Sequence, residues 1–213
     1  KRTAAAALRF ARRYLEARTM MQRYIDSLPP NTTTDPRYAG ELARLNLYAR
    51  QPQQALDTLA GAHWLDVRPR ALWMLGRLDE AQQALASAKA MLAKQGQKDV
   101  FGASYYLLHI EAEMALHTAD VQRAIRLLNT ARPQDGPPDI RDELSLLLAE
   151  AYLENGEYAV AAELLQDIMS HAQNIGDTFL DASAALLLAR YYRMMRNGVD
   201  AIKTIWYAAR QGR

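Results

Sequence analysis

The feature that most constrains this chain is a small residue recurring five places after a turn. The pattern turn–x–(aromatic or aliphatic)–x–x–Ala is complete at Gly156-Glu157-Tyr158-Ala159-Val160-Ala161 and at Gly76-Arg77-Leu78-Asp79-Glu80-Ala81. It returns from Ala119 to Ala124, from Arg12 to Ala17, from Arg50 to Ala55 with Pro52 at the third place, and from Arg196 to Ala201 with Gly198 there. The anchoring alanines 17, 55, 81, 124, 161 and 201 are 38, 26, 43, 37 and 40 residues apart, each interval bracketing one helical hairpin. Two antiparallel helices joined by a tight turn cannot bury their apolar faces alone, so such hairpins must stack. A small residue where the helices cross lets their axes approach, and Gly or a polar residue supplies the chain reversal. Tyr158, three places before Ala161, is placed to plug the gap between the helices.

Composition agrees with an all-α chain. Half of the 213 residues are apolar, yet runs of Val, Ile or Thr are scarce and Ala, Leu, Gln, Glu, Arg and Met dominate, which are helix formers rather than strand formers. Caps and breakers predict helices over 2–10, 12–28, 36–49, 52–62, 66–75, 78–95, 99–117, 120–132, 138–154, 157–174, 178–195 and 198–210. Gly176 reads as a helix C-cap and Asp177 as the next N-cap. Pro69 falls where a small first-helix residue belongs, and the 26-residue interval predicts a short first helix and irregular stacking between about 50 and 76. The segment Pro133-Gln134-Asp135-Gly136-Pro137-Pro138 is the best candidate for a joint. It separates irregular N-terminal repeats over 1–132 from regular ones over 138–213, within one continuous solenoid.

Upstream of the anchors, Leu148-Ala149 leads to Tyr152 and then Gly156, and Leu188-Ala189 leads to Tyr192 and then Arg196. Downstream, Leu165 and Ile168 follow Ala161, Ile205 and Ala208 follow Ala201, and Met21, Tyr24, Ile25 and Pro29 follow Ala17. This order resembles the tetratricopeptide-repeat consensus, most fully over 138–211. The resemblance implies a right-handed superhelical stack of about six helix-turn-helix hairpins. Its lengthened helices, joined by Ala172-x-x-x-Gly176-Asp177, look like the subgroup found in bacterial regulators.

The family resemblance also implies where a partner would lie, because the first helix of each hairpin lines the groove. Counting from each anchor alanine gives Arg44, Leu47 and Tyr48; Arg70 and Trp73; His109, Glu113, Leu116 and His117; Glu150, Leu153 and Glu154; and Arg190, Arg193 and Met194. The set is basic at one side, acidic with histidines in the middle, and basic again at the end. That mixture suits a protein or peptide segment of both charge signs and does not suit uniform phosphate contacts. The Lys/Asn clamp of chaperone-binding members is not matched. Trp206 and Tyr207 in the last helix are placed to cap the stack or to dock a neighbour.

Other chemistries lack their signatures. There is no cysteine, hence no thiol nucleophile and no Cys-based zinc site. His109 and His117 are eight residues apart, not the i, i+4 pair that a one-helix zinc site needs. Phosphate loops, a G-x-S-x-G elbow and a Walker-type lysine are missing, so neither an enzyme nor a cofactor is expected. Net charge is +2, close to balance, which argues against a dedicated nucleic-acid binder. The basic opening run of Lys1, Arg2, Arg9, Arg12, Arg13, Arg18 and Arg23 against Glu16 is the local exception, read first as a solvated face. No apolar run approaches a membrane span. Starting at Lys1, the chain reads as an excised domain or processed product, and the lack of cysteine suits the cytoplasm while permitting the periplasm. The functional expectation is a peptide-binding scaffold, the interaction or sensor region of a larger bacterial regulator or assembly factor. The alternative is a small-ligand-sensing helical domain that controls an attached effector.

Overall fold

Five turns of three residues each carry the architecture. The computed structural model describes residues 14–29, 36–59, 64–94, 102–131 and 137–211, and all of its regular structure is helical. The described helices are α1 (Tyr14–Asp26), α2 (Pro36–Tyr48), α3 (Pro52–Thr58), α4 (Val67–Met74), α5 (Leu78–Lys94), α6 (Ala103–His117), α7 (Val121–Thr130), α8 (Pro138–Glu154), α9 (Tyr158–Ile175), α10 (Thr178–Met194) and α11 (Gly198–Gln211). The expected helix over 2–10, the Arg12 turn and most of the proline-rich joint lie outside the described residues.

The turns joining α2 to α3, α4 to α5, α6 to α7, α8 to α9 and α10 to α11 share one geometry. Their middle residues are Arg50, Gly76, Ala119, Gly156 and Arg196, with φ of 59°, 72°, 60°, 81° and 57°. These are the turn residues of the sequence repeat. At each, two backbone bonds close the helix end. At Gly156, for example, its own N–H donates to the Leu153 carbonyl at 3.2 Å and the Glu157 N–H donates to Tyr152 at 2.9 Å. This pair of bonds is the Schellman arrangement, which needs one residue in the left-handed region. Glycine adopts it freely, whereas arginine and alanine do so at a cost of about 1 kcal/mol, so the turn is imposed on Arg50, Ala119 and Arg196 by the packing around it.

The same bonds set the register of the following helix. The anchor N–H donates to the residue just after the left-handed turn position: Ala55 to Gln51, Ala81 to Arg77, Ala124 to Asp120, Ala161 to Glu157 and Ala201 to Asn197, at 2.9–3.1 Å. Each of these five anchors is therefore the fourth residue of its helix. Ala17, Ala55, Ala81, Ala124 and Ala161 are wholly buried, and Ala201 is 6% exposed. Between hairpins, Gly176 takes φ +71° and the Asp177 carboxylate accepts from the Leu180 N–H at 2.9 Å, the two caps expected there.

The chain divides into two compact units, Lys1–Leu107 and Leu108–Arg213. In the first, each of α1 to α4 packs on the next, and α4 on α5; α2 also touches α4, so first helices of successive hairpins meet. α4 is short, as the 26-residue interval predicts, yet the packing order runs through it unbroken. Ala43, Leu47, Ala55, Val67 and Ala71 form the core at this junction. In the second unit α7 to α11 pack in the same order and α8 touches α10. Its core gathers Ala149 and Leu153 of α8, Ala161, Leu165 and Ile168 of α9, and Leu180, Ala184 and Leu188 of α10. Alanines alternate with leucines across the facing helices, which is how helices pack closely without voids. Each unit is thus an all-α stack of helical hairpins.

Candidate functional site

In the second unit, a chain of charged side chains crosses three first helices. Glu143, Glu150 and Glu154 are spaced by seven and four residues on α8, so they share one face. From α10, Arg190 reaches back to them: its Nη1 lies 3.3 Å from Glu150 Oε1 and its Nη2 donates to Glu154. On the α6 side, His109 is buried, with Nδ1 3.7 Å from Glu113 Oε2 and Nε2 3.7 Å from Glu143 Oε2. Burial pushes the Glu150 carboxyl above its ordinary range; Arg190 opposes that shift, while Glu154 and Glu113 add to it. The carboxylates outnumber the cation on this face. Chemically it can offer hydrogen-bond acceptors to a basic or amide-bearing segment, in surroundings drier than open water, where charge–charge contacts are strengthened.

The candidate residues of this unit separate by depth. His109, Glu113, Glu150, Glu154 and Arg190 come together; Arg193 and His117 are exposed toward the ends of α10 and α6, and Met194 is 38% exposed. Leu116 is half-buried, whereas Leu153 is fully buried in the core. Counting from the anchors does not reach Glu143, although its place seven residues before Glu150 marks it. Glu111, on another face of α6, pairs with Arg123 at 2.9 Å.

The first unit uses its candidates differently. Arg44 is 6% exposed. Its Nε and Nη2 donate to both oxygens of Asp66 at 2.9–3.1 Å. Its guanidinium lies 4.7 Å from the Trp64 ring centre and 4.3 Å from that of Tyr106. Burial alone would draw the Arg44 proton affinity down, but the Asp66 carboxylate outweighs it and the pKa stands above the ordinary value. The Trp64 indole lies so close over α2 that a Cβ on Gly40 would sit 1.6 Å from its Nε1, and that nitrogen donates to the Pro36 carbonyl at 3.3 Å. Gly40 therefore admits the indole, which covers Arg44. Register counting set Arg44 and Leu47 on an open face; both are buried here, because α2 is packed by α3 and α4 together. Tyr48 stacks on Tyr14 at 4.6 Å, and Arg70 lies 5.6 Å from the Tyr48 ring centre. Trp73 is half-buried. A cavity of about 370 Å³ opens in this unit among Leu59, Trp64, Arg68, Leu72, Ala84 and Met91.

The Trp206-Tyr207 pair is split by α11. Trp206 is 64% exposed, whereas Tyr207 turns inward, donating to Asp181 and accepting from Gln173 Nε2 at 2.8 Å. Among the described residues there is no group of three or more His, Asp or Glu arranged to hold a metal ion, and no helix is long and apolar enough to cross a membrane. A scan against protein-family models finds no match to this chain, and a search of curated proteins finds none.

Proposed function

We propose that this chain is a binding scaffold of tetratricopeptide-like repeats that holds a protein or peptide segment of mixed charge on the α6–α8–α10 face. The observation that carries this reading is the side-chain ladder itself. Residues from three successive first helices meet on one face, and the apolar side chains of α8 and α10 pack into the core beside it. A peptide lying across that ladder would place a basic or amide group near Glu113 and Glu154, and an acidic group near Arg193. The lengthened helices and the Gly176-Asp177 junction support a place in the interaction or sensor region of a larger bacterial regulator. The reading is non-catalytic and needs no cofactor. The cavity beside α4 and α5 favours a second reading, a small-ligand-sensing domain, since its volume falls in the range of small-molecule sites.

The test is peptide display against the intact chain, followed by titration of the enriched peptides into a Glu154→Lys/Arg193→Glu variant. Both positions are exposed, so folding is expected to be kept. Affinity is expected to fall by about tenfold or more, with the fall larger at low salt. Equal binding to the parent and the variant would remove this face as the site.

A further inference from the structure

The last hairpin presents a seat that its predecessor has filled. A shift of forty residues carries Gly156 onto Arg196 and Ala161 onto Ala201, and so lays α8 on α10 and α9 on α11. Leu165 of α9 is wholly buried in the core it shares with Leu180, Ala184 and Leu188 of α10. Its counterpart Ile205 is 49% exposed. Ala162 and Leu146 pack against that same core, yet their counterparts Ile202 and Leu186 are 59% and 55% exposed. Thus positions of α8 and α9 that pack into the core shared with α10 have counterparts that stand uncovered one hairpin later. Trp206, 64% exposed, extends the surface: at 100° per residue, 205, 202 and 206 span one continuous arc of α11.

The rim of this arc is positive. Lys203 and Arg210 border it on α11, and Arg193 lies seven residues beyond Leu186 on α10; all three are exposed. Asp200 offsets Lys203 at 3.4 Å, and the other acid of the hairpin, Asp181, is buried against Tyr207. An apolar seat shaped for a helix, continuing the packing already present between hairpins and edged by cations, selects its occupant by both shape and charge.

We propose that the α10–α11 face binds an acidic amphipathic helix of a partner protein, lying on it as α10 lies on α8 and α9. The partner's apolar stripe would meet Leu186, Ile202, Ile205 and Trp206, and its carboxylates would meet Arg193 and Arg210. This surface shares Arg193 with the edge of the α6–α8–α10 ladder, whereas Ile202, Ile205, Trp206 and Arg210 lie on α11 alone, so substitutions on α11 test it independently of the ladder.

The probe is a synthetic helical peptide copying residues 178–194, the helix that fills the equivalent seat. It keeps Leu180, Ala184 and Leu188 and carries Phe179→Glu, Leu186→Glu, Arg190→Glu and Arg193→Glu. A second peptide has lysine at those four places, and vesicles containing phosphatidylserine serve as a third arm. With the intact chain, the glutamate peptide is expected to bind saturably and about tenfold more tightly than the lysine peptide at low salt. Ile202→Glu is expected to weaken it about tenfold and Arg210→Glu several-fold, without change in the melting midpoint. No saturable binding, equal binding of the two peptides, or binding indifferent to both substitutions would overturn the proposal. So would retention on the vesicles that depends on Ile202 and Arg210 while the peptide fails to bind.

Discussion

Asp66→Ala is expected to cost the first unit about 3–5 kcal/mol, the scale at which one partner is removed from a buried ion pair. Arg44 and Asp66 are 6% and 4% exposed, so neither ion can recover its hydration in the folded state. Without the carboxylate, the guanidinium keeps its place between Trp64 and Tyr106, and ring contacts worth about 1–2 kcal/mol each when desolvated do not replace a doubly bonded counter-ion. Combining Asp66→Leu with Arg44→Met is expected to return most of the loss, because it removes the stranded charge along with its partner. Urea unfolding followed by circular dichroism gives both values. An Asp66→Ala midpoint equal to the parent's would mean that the pair is solvated.

Leu153→Ala is expected to destabilise the second unit by about 2–5 kcal/mol, the range for emptying a buried leucine site. Leu153 has no exposed surface and packs with Ala149, Ala161 and Leu165. If it lined an open groove, as the tetratricopeptide resemblance implies, the change would stay within about 0.5 kcal/mol. Thermal or urea unfolding of the variant separates the two.

That contrast shows which parts of the molecule are legible in the sequence. Helices and turns are local: Gly176-Asp177 announces a C-cap and an N-cap, and five alanines follow their turn residues at one spacing because the closing bonds at each turn set the count. Predicted bounds such as 138–154 and 78–95 accordingly fall within a residue of α8 and α5. Pro69 and the short interval predict irregular stacking; α4 still touches α2, α3 and α5, because its eight residues provide Val67, Ala71 and Leu72 for burial. Side-chain fate on the first helices is less legible. It depends on how many neighbours cover each face, so Arg44 and Leu153 are buried where the tetratricopeptide resemblance implies a place beside a groove. The Gly40–Trp64–Arg44–Asp66 assembly is long-range and has no period. Its one sequence trace is a glycine inside a helix, which marks close approach by something large. The ladder from His109 to Arg190 was mostly legible, since five of its six members lie on first helices at positions counted from the anchors. Glu143 lies one step outside that count.

The account rests on the residue five places past each turn being the point where paired helices cross. A leucine scan compares positions 55, 81, 124, 161 and 201 with positions 53, 79, 122, 159 and 199, which lie two residues earlier on the same helices and are all exposed. Urea unfolding is expected to show losses of about 1–3 kcal/mol at each of the first five, from overpacking, and changes within about 0.5 kcal/mol at each of the second five. Anchor leucines that unfold at the parent's urea midpoint would contradict the account.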